Sequence, residues 1–571
     1  MTSLRPIRPD FEVPAGTWVK DAAHSGVLPS PFLASLGDPS AAVFADLAER
    51  AGLLVETVRT GVIGYETYVQ AVPLGGAGGA PPPRALVWLL SRLHPAFRRR
   101  TAAARHALAT DFDDAPSRWR REWEPALRRR FAEHLAVDPG ALADDRLLAE
   151  IDEVLTLAAD GVGIHFDLFL PYLLGLHGLV EVCTELLGWD SSTTLRMLTG
   201  SSQASAAPAV AMRSLAEAAV DDEAAVAALA DRSPGGGQRL REVSPRIADL
   251  LDRWLDDWGH RCMDYDPAAP TYAEKPELVT HLLRQSMAAI TAGGCRREGG
   301  GPGGSTDAGP DLVADARSLL AGSDLDRFES VLAEARRVHP LREDNVHLTS
   351  TMPAALLRRL VVEAGKRLVD RGRLTAVGDV FLAEKPELEA ALMEPTLDLR
   401  PAVTRRRAEM AWVEEHPGPD SYGPPEGEPP DLTALPEPLR RVNAALIWAM
   451  DLEFAPAGGG GGDGGVVTGI GVSPGRAVGR VRLIRTEEDF FDMVEGEVVV
   501  CRVATTAWSP LLGIAGAIVC DTGGALSHTA VIARELGVPA VLGTGNATTS
   551  LVDGAEVVVD GHAGVVERLS P

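Results

Sequence analysis

The sequence predicts a multidomain protein: a large, mainly α-helical domain over residues 1–455, then a small C-terminal β/α domain over 469–571. Three observations predict it. In the first region apolar residues recur near every 3.6 positions, as at Leu356, Leu360, Ala364 and Leu368, the spacing of one buried helix face. Residues 458–465 read Gly-Gly-Gly-Gly-Gly-Asp-Gly-Gly, a flexible composition that makes 456–468 a linker. Beyond it, short β-branched runs bounded by Gly or Asp alternate with short helical pieces, the pattern of a β/α unit.

In chain order, the periodicity places helices at Ser40–Gly52, Pro83–Ala109, Pro116–Leu135, Ala141–Ala158, Phe166–Leu187, Ser244–Trp258 and Pro276–Ala292. Further helices are expected at Leu312–Leu320, Leu325–Val338, Met352–Arg371 and Pro438–Met450. Few strands are expected before the linker. The stretches after Pro401 and around Pro424-Pro425 read as loops. The low-complexity stretches Gly75–Pro83, Ser233–Gly237 and Gly293–Gly304 read as disordered loops without chemistry. In the C-terminal region strands are expected at Val478–Ile484, Glu497–Val503, Ala515–Cys520 and Glu556–Asp560. Helices are expected at Trp508–Ile514 and from Thr529 to Leu536.

A chain of 571 residues has ample length for a large core. Its net charge of −25 repels nucleic acid and anionic membranes, so neither is expected as a partner. The arginine triplets at 98–100 and 128–130 read as solvated helix faces. Cys183, Cys262, Cys295, Cys501 and Cys520 form no C-x-x-C pair, which suggests reduced thiols in the cytoplasm and no zinc site. No signal segment is visible at the N-terminus. The most apolar run, Leu168–Val180, is too short to span a bilayer and reads as a buried helix. His165 and His177 flank it and read as core histidines, not as a metal pair.

The chemistry concentrates at Thr522-Gly523-Gly524-Ala525-Leu526-Ser527-His528-Thr529. A glycine-rich turn delivers His528 to the start of a helix, with Ser527 as N-cap. Gly537 and Pro539 punctuate its far end. Unpaired backbone N–H groups at a helix start bind anions, and glycines let a ligand approach. The positive end of the helix dipole favours a neutral, nucleophilic imidazole. His528 is therefore the candidate phosphohistidine, with Gly523, Gly524, Ser527 and Thr529 cradling phosphate. Arg534, six positions on, serves the helix end or a docking surface. A tethered histidine can load at one site and unload at another; extended, the glycine run reaches about 28 Å. A passive spacer is the alternative for that run.

Residues 469–568 resemble the mobile phosphohistidine domain of the phosphoenolpyruvate-utilising enzymes. The matching residues are Gly471-Val472-Ser473-Pro474-Gly475, Gly479-Arg480-Val481, Gly496 to Val500, Ala517-Ile518-Val519, Gly523 to Pro539, Val541 to Thr544, Asp553-Gly554, Val559-Asp560-Gly561 and Gly564. The resemblance implies that His528 is the phosphorylated residue and that its domain swivels. The family's usual Thr-x-Pro-x-Trp stands here with Ala504 and Thr506 in place of the threonine and proline, before Trp508. Thr505 and Thr506 are open between cradling phosphate and capping a helix.

The first region is similar, in sparse but ordered matches, to the substrate-binding domain of rifampin phosphotransferase-type enzymes. The matches include Gly16-Thr17-Trp18-Val19-Lys20-Asp21-Ala22-Ala23-His24, then Trp258-Gly259-His260-Arg261-Cys262 through Asp264 and Asp266. They continue at Leu341-Arg342-Glu343, Arg358, Gly365 to Val369, Asp379 to Ala383, and Tyr422-Gly423-Pro424-Pro425. Such enzymes carry an ATP-grasp domain first; here it is expected to be absent. The lysine that typically follows their Arg-Glu pair is missing too. His347 is the nearest substitute, as a base for the acceptor or as a structural histidine. Arg342 is the candidate grip on the moving phosphoryl group; an ion pair with Glu343 or Asp344 on a helix surface is the alternative. His260 and Arg261 line a pocket mouth or belong to an ion-pair network, and His24 serves docking, the pocket or a cap.

The resemblance implies a phosphotransferase component. An ATP-grasp partner, using ATP and Mg²⁺, loads His528; the domain then delivers phosphate to a small-molecule acceptor, expected to be a hydroxyl, in the helical domain. No cofactor or metal is expected on this chain alone. Two other readings stand: activation of a biosynthetic substrate for condensation or elimination, and a non-catalytic helical binding protein with a vestigial histidine domain.

Overall fold

The computed structural model describes residues 6–21, 28–75, 83–231, 235–291, 311–394, 396–425, 431–453 and 466–569. His24, the glycine run 458–465, most of Gly75–Pro83 and all of Gly293–Gly304 lie outside the described residues.

The first domain is mainly helical, and one helix organises it. Asp144–Leu187 runs for 44 residues with Pro171 inside it. The sequence pattern places two helices here, Ala141–Ala158 and Phe166–Leu187, with Gly161 and Gly163 weakening the stretch between them. Packing overrides that weakness: a Cβ on Gly161 would meet the Thr349 carbonyl oxygen at 2.9 Å, so glycine lets another helix cross closely. This helix has a stretch apolar enough to cross a membrane, but 67 % of that window is buried within the protein. It is a core helix. Around it pack Ser323–Val338, Pro340–Val346, a π-helical turn His347–Thr351, Met352–Asp370 and Glu437–Glu453.

Three local expectations change. A helix, Arg400–Glu415, follows where a loop was expected, because Pro401 sits at its first turn, where proline is tolerated. Gly236 opens the helix Gly236–Val243, so the glycine stretch there ends in ordered structure. The domain also holds a four-stranded antiparallel sheet ordered Val55–Ile63, Glu66–Pro73, Trp18–Lys20, Ser421–Tyr422. Its hairpin turns at Gly64-Tyr65, both with positive φ (60° and 69°), the twist a two-residue hairpin needs. Trp18 lies opposite Tyr422, so two segments some four hundred positions apart in sequence close one edge.

The C-terminal domain is an eight-stranded sheet with short helices. Across the sheet the order is Val466–Thr468, Val565–Arg568, Glu556–Asp560, Arg476–Ile484, Val498–Cys501, Ala517–Cys520, Ala540–Leu542, Ile470–Ser473. The pairs from Arg476–Ile484 to Ala540–Leu542 are parallel and the flanking pairs antiparallel. The two outermost strands are separated in sequence by Gly469 alone, so the sheet curls until its edges meet. Val466–Thr468 falls inside the expected linker 456–468, so the domain begins three positions early. The sheet carries two apolar faces; one forms its own core and the other is continuous with the core of the helical domain.

Candidate active site

The turn at His528 is built as its residues demand. Gly523 has φ +95°, a conformation that side chains resist. Ser527 caps the helix His528–Leu536 by accepting from Ala530 N at 3.3 Å. Gly537 closes it with φ 63°. Arg534 is buried and donates to the Ala525 carbonyl at 3.0 Å, so it braces the turn from behind. Thr529 is also buried, its hydroxyl donating to the Ala504 carbonyl at 3.0 Å.

The turn is docked on the helical domain. His528 Nδ1 lies 2.7 Å from Glu343 Oε1, with the two side chains 14 % and 1 % exposed. Burial by itself pushes the Glu343 carboxyl up; the His528 imidazole, the Arg342 guanidinium and the Ser205 hydroxyl outweigh it and hold it at about 2. Glu343 is therefore a carboxylate and can only accept. A proton must therefore sit on His528 Nδ1, and in the neutral ring that leaves the Nε2 lone pair free. A second close approach is at Gly524, where an added Cβ would collide with the Leu452 carbonyl near the end of Glu437–Glu453.

Arg342 is not on a helix surface. It is buried, pairs with Glu453 and lies over the Tyr172 ring at 5.7 Å. Desolvation works against its charge, but Glu453 outweighs it and raises its pKa. A small chamber of about 20 Å³ separates Arg342, Tyr265 and Thr505 from Gly523, Ser527 and His528.

Sequence reasoning found Arg342 and His528 but read Glu343 only as a neighbour of Arg342. The adjacent Arg-Glu pair at a helix start was the signal; its partners, Glu453 and His528, are visible only once the chain is folded. His347 lies outside the chamber. It is partly buried, within hydrogen-bond reach of Thr351 Oγ1 at 3.0 Å, and desolvation holds its pKa well below the usual histidine range. It is a structural histidine, and so is His165, 2.8 Å from Asn345 Oδ1. Arg261 is buried and stacks over Trp258 at 4.7 Å, and His260 beside it is half-buried. Both belong to the loop that carries Asp264 and Asp266, not to the chamber. Elsewhere, His134, Glu150 and Glu153 bring ligand-type atoms within 4.8 Å of one another. That cluster draws on two helices and has no spacing signature.

A larger cavity of about 620 Å³ lies beside the chamber, between the domains. Met263, Asp264, Asp266, Arg358, Phe381 and Trp508 are among its walls. Arg358 is tied to Glu274 at 2.7 Å, and Asp266 accepts from Ser30 N at 2.6 Å. Desolvation pushes the Asp264 carboxyl up to about 6.

The comparisons with known proteins fall on both domains. Residues 493–564 match the family described as PEP-utilising enzyme, mobile domain, and residues 169–343 match the rifampicin phosphotransferase fourth domain. The C-terminal domain thus resembles the mobile domain of phosphoenolpyruvate-utilising enzymes, and the middle of the helical domain resembles the fourth domain of rifampicin phosphotransferase. Among relatives, the rifampicin phosphotransferase of Streptomyces sviceus is 26% identical over 325 residues, 56% of this chain and 34% of that protein. The chondramide synthase cmdD of Chondromyces crocatus is 27% identical over 494 residues, 83% of this chain and 12% of that protein. The phosphoenolpyruvate synthase of Aeropyrum pernix is 49% identical over 102 residues, 18% of this chain and 12% of that protein. The chain spans 12% to 34% of the length of these three relatives.

Proposed function

We propose that this chain is a phosphotransferase component that carries a phosphoryl group on His528 Nε2 and delivers it, in the docked arrangement, to a hydroxyl of a small molecule held by the helical domain. The observation that carries this reading is the contact of His528 Nδ1 with Glu343 across the domain boundary. It fixes the tautomer of a ring that lines the chamber and supports the positive charge that develops when that ring is phosphorylated.

The 620 Å³ cavity is the acceptor site in this reading. Its mixture of apolar walls with a few charged groups suits a small organic molecule. The acceptor oxygen attacks phosphorus, the P–Nε2 bond breaks, and its electron pair returns to Nε2. The hydroxyl proton passes to Asp264, whose raised pKa suits a base near neutral pH. Arg342 neutralises charge on the transferring group. A separate ATP-grasp chain, with ATP and Mg²⁺, does the loading.

The test is to incubate the chain with ATP and Mg²⁺, with and without a candidate ATP-grasp protein, and to look for acid-labile phosphate. Label on His528 that needs the partner and vanishes in His528→Ala supports the reading. Efficient labelling by ATP alone refutes the partner, and label that survives in His528→Ala refutes the carrier.

A further inference from the structure

The chamber beside His528 is lined by two residues with a buried polar atom that makes no well-formed hydrogen bond among the described residues, Arg342 Nη1 and the Tyr265 hydroxyl oxygen, although Thr506 lies near the phenol and Tyr172 near the guanidinium. A buried donor without a partner costs about 1–3 kcal/mol, so two converging on one space point to a ligand made of acceptors. A guanidinium can only donate. The Tyr265 phenol is kept protonated by burial, and thus keeps a proton to give. Two other hydroxyls on the chamber wall are committed as donors: Thr505 Oγ1 donates to the Met263 carbonyl at 3.0 Å, and Thr529 Oγ1 donates to the Ala504 carbonyl; Ser527 Oγ accepts from Ala530 N.

Tyr265 is placed by the run Met263-Asp264-Tyr265-Asp266, whose side chains divide between two spaces. Asp264 and Asp266 face the large cavity and Tyr265 faces the chamber. The run is fastened to the mobile domain at one point. The Met263 carbonyl accepts from Thr505 Oγ1 and also from Trp508 Nε1 at 2.9 Å. Docking therefore brings the phenol to His528, and undocking takes it away.

We propose that Tyr265 is a phosphoryl-binding residue of the docked state, its hydroxyl and Arg342 Nη1 donating to oxygens of a phosphoryl group on His528 Nε2. This rests on the reading of His528 as the carrier. About 20 Å³ is room for little more than one water molecule. A loaded histidine therefore docks with the two walls slightly farther apart than here, and the donors close on the oxygens as the group arrives.

The test uses the full chain and phosphoramidate, a small chemical donor of phosphoryl groups to imidazole nitrogen. The phosphorus resonance of the labelled protein is followed by NMR while pH is varied. Hydrogen bonds to the doubly ionised phosphoryl group lower its last titration, which otherwise falls near pH 6. In Tyr265→Phe the midpoint should rise by about one unit, the size of one charge-assisted hydrogen bond. Modification of His528 by diethyl pyrocarbonate should stay as slow as in the unaltered chain, because docking survives. A midpoint unchanged in Tyr265→Phe overturns the proposal and leaves the carrier standing. So does a raised midpoint accompanied by fast modification of His528, since the phenol would then serve only docking. Failure of His528 to take any acid-labile label overturns the carrier, and the proposal with it.

Discussion

Replacing Gly524 with alanine should separate the two functions of the mobile domain. The built-in Cβ would lie 2.9 Å from the Leu452 carbonyl carbon, and closer still to its oxygen. Carbon atoms pack at about 3.5–4.0 Å, so the carbon alone forces the surfaces apart by at least about 0.6–1.1 Å, and the nearer oxygen demands more. Gly524 does not have positive φ, so alanine meets this contact without backbone strain. The contact of His528 with Glu343, now 2.7 Å, would stretch to at least about 3.3–3.8 Å, where a hydrogen bond is weak or gone. A hydrogen bond to a charged group contributes about 1.5–3 kcal/mol, which is about a 10- to 150-fold fall in the docked population. The assay is the rate at which diethyl pyrocarbonate modifies His528, read by mass spectrometry of its peptide. The rate should rise by that order, and chemical phosphorylation of His528 should persist because its turn is intact. An unchanged modification rate would refute the docked geometry on which the active site is built.

Glu343→Gln keeps the shape but removes the charge that faces His528; docking should weaken about 10- to 100-fold in the same modification assay, at the lower end of what a buried charge-assisted bond contributes. Arg342→Met breaks the buried ion pair with Glu453, so urea unfolding should show a loss of up to about 3–5 kcal/mol, partly restored by adding Glu453→Gln. Docking should also depend on pH. Glu535 accepts from Gly200 N at 3.0 Å and Ser202 N at 3.1 Å across the boundary, yet burial pushes its carboxyl up to about 7. Asp264 shifts the same way, to about 6. An acid whose pKa rises on docking favours docking below its free value and loses that contribution as pH climbs through the docked value. Docking should therefore weaken between about pH 4.5 and 7 and level off above, as measured by small-angle scattering. Glu343 works in the opposite sense: held near 2, its contribution is present above its free value and is lost only as pH falls toward 2.

Much of the fold was legible because local pattern and packing agree. The histidine turn, its cap and its glycine stop carry their own signals, and the structure places each within a residue of expectation. Glu556–Asp560 is a strand as read. What failed needed information from far along the chain. The hairpin Val55–Pro73 alternates as a strand should, but its turn is Gly64-Tyr65, not a familiar Asn-Gly pair. The strand Ser421–Tyr422 is two residues long and exists only against Trp18 and Val19. Pro401 was read as a breaker when it is a helix starter. At the active site, the residue types were legible and the pairing was not. Arg342 and Glu343 are neighbours on one helix, yet each bonds to a group more than one hundred positions away.

That pairing explains why two opposite charges stand side by side in a core. Arg342 and Glu453 both belong to the helical domain, so their ion pair persists whether or not the mobile domain is docked. In the proposed cycle Glu343 differs, because its imidazole partner would depart with the C-terminal domain. A lone buried carboxylate would take up a proton and cease to orient the returning ring. The Arg342 charge acts on Glu343 in either state and favours its ionised form, as does the Ser205 hydroxyl, which also stays behind. Most of the remaining polar contacts across the boundary end on backbone groups: Tyr272 on the Ala507 carbonyl, His281 on that of Met493, Ser192 on that of Gly471. Water can replace each of these on release, so each adds only about 0.5–1.5 kcal/mol to docking. Among the described residues, the contact of His528 with Glu343 is the one that pairs two ionisable side chains at the carrier ring, so any change to the charge on that ring acts directly on the equilibrium between docked and released.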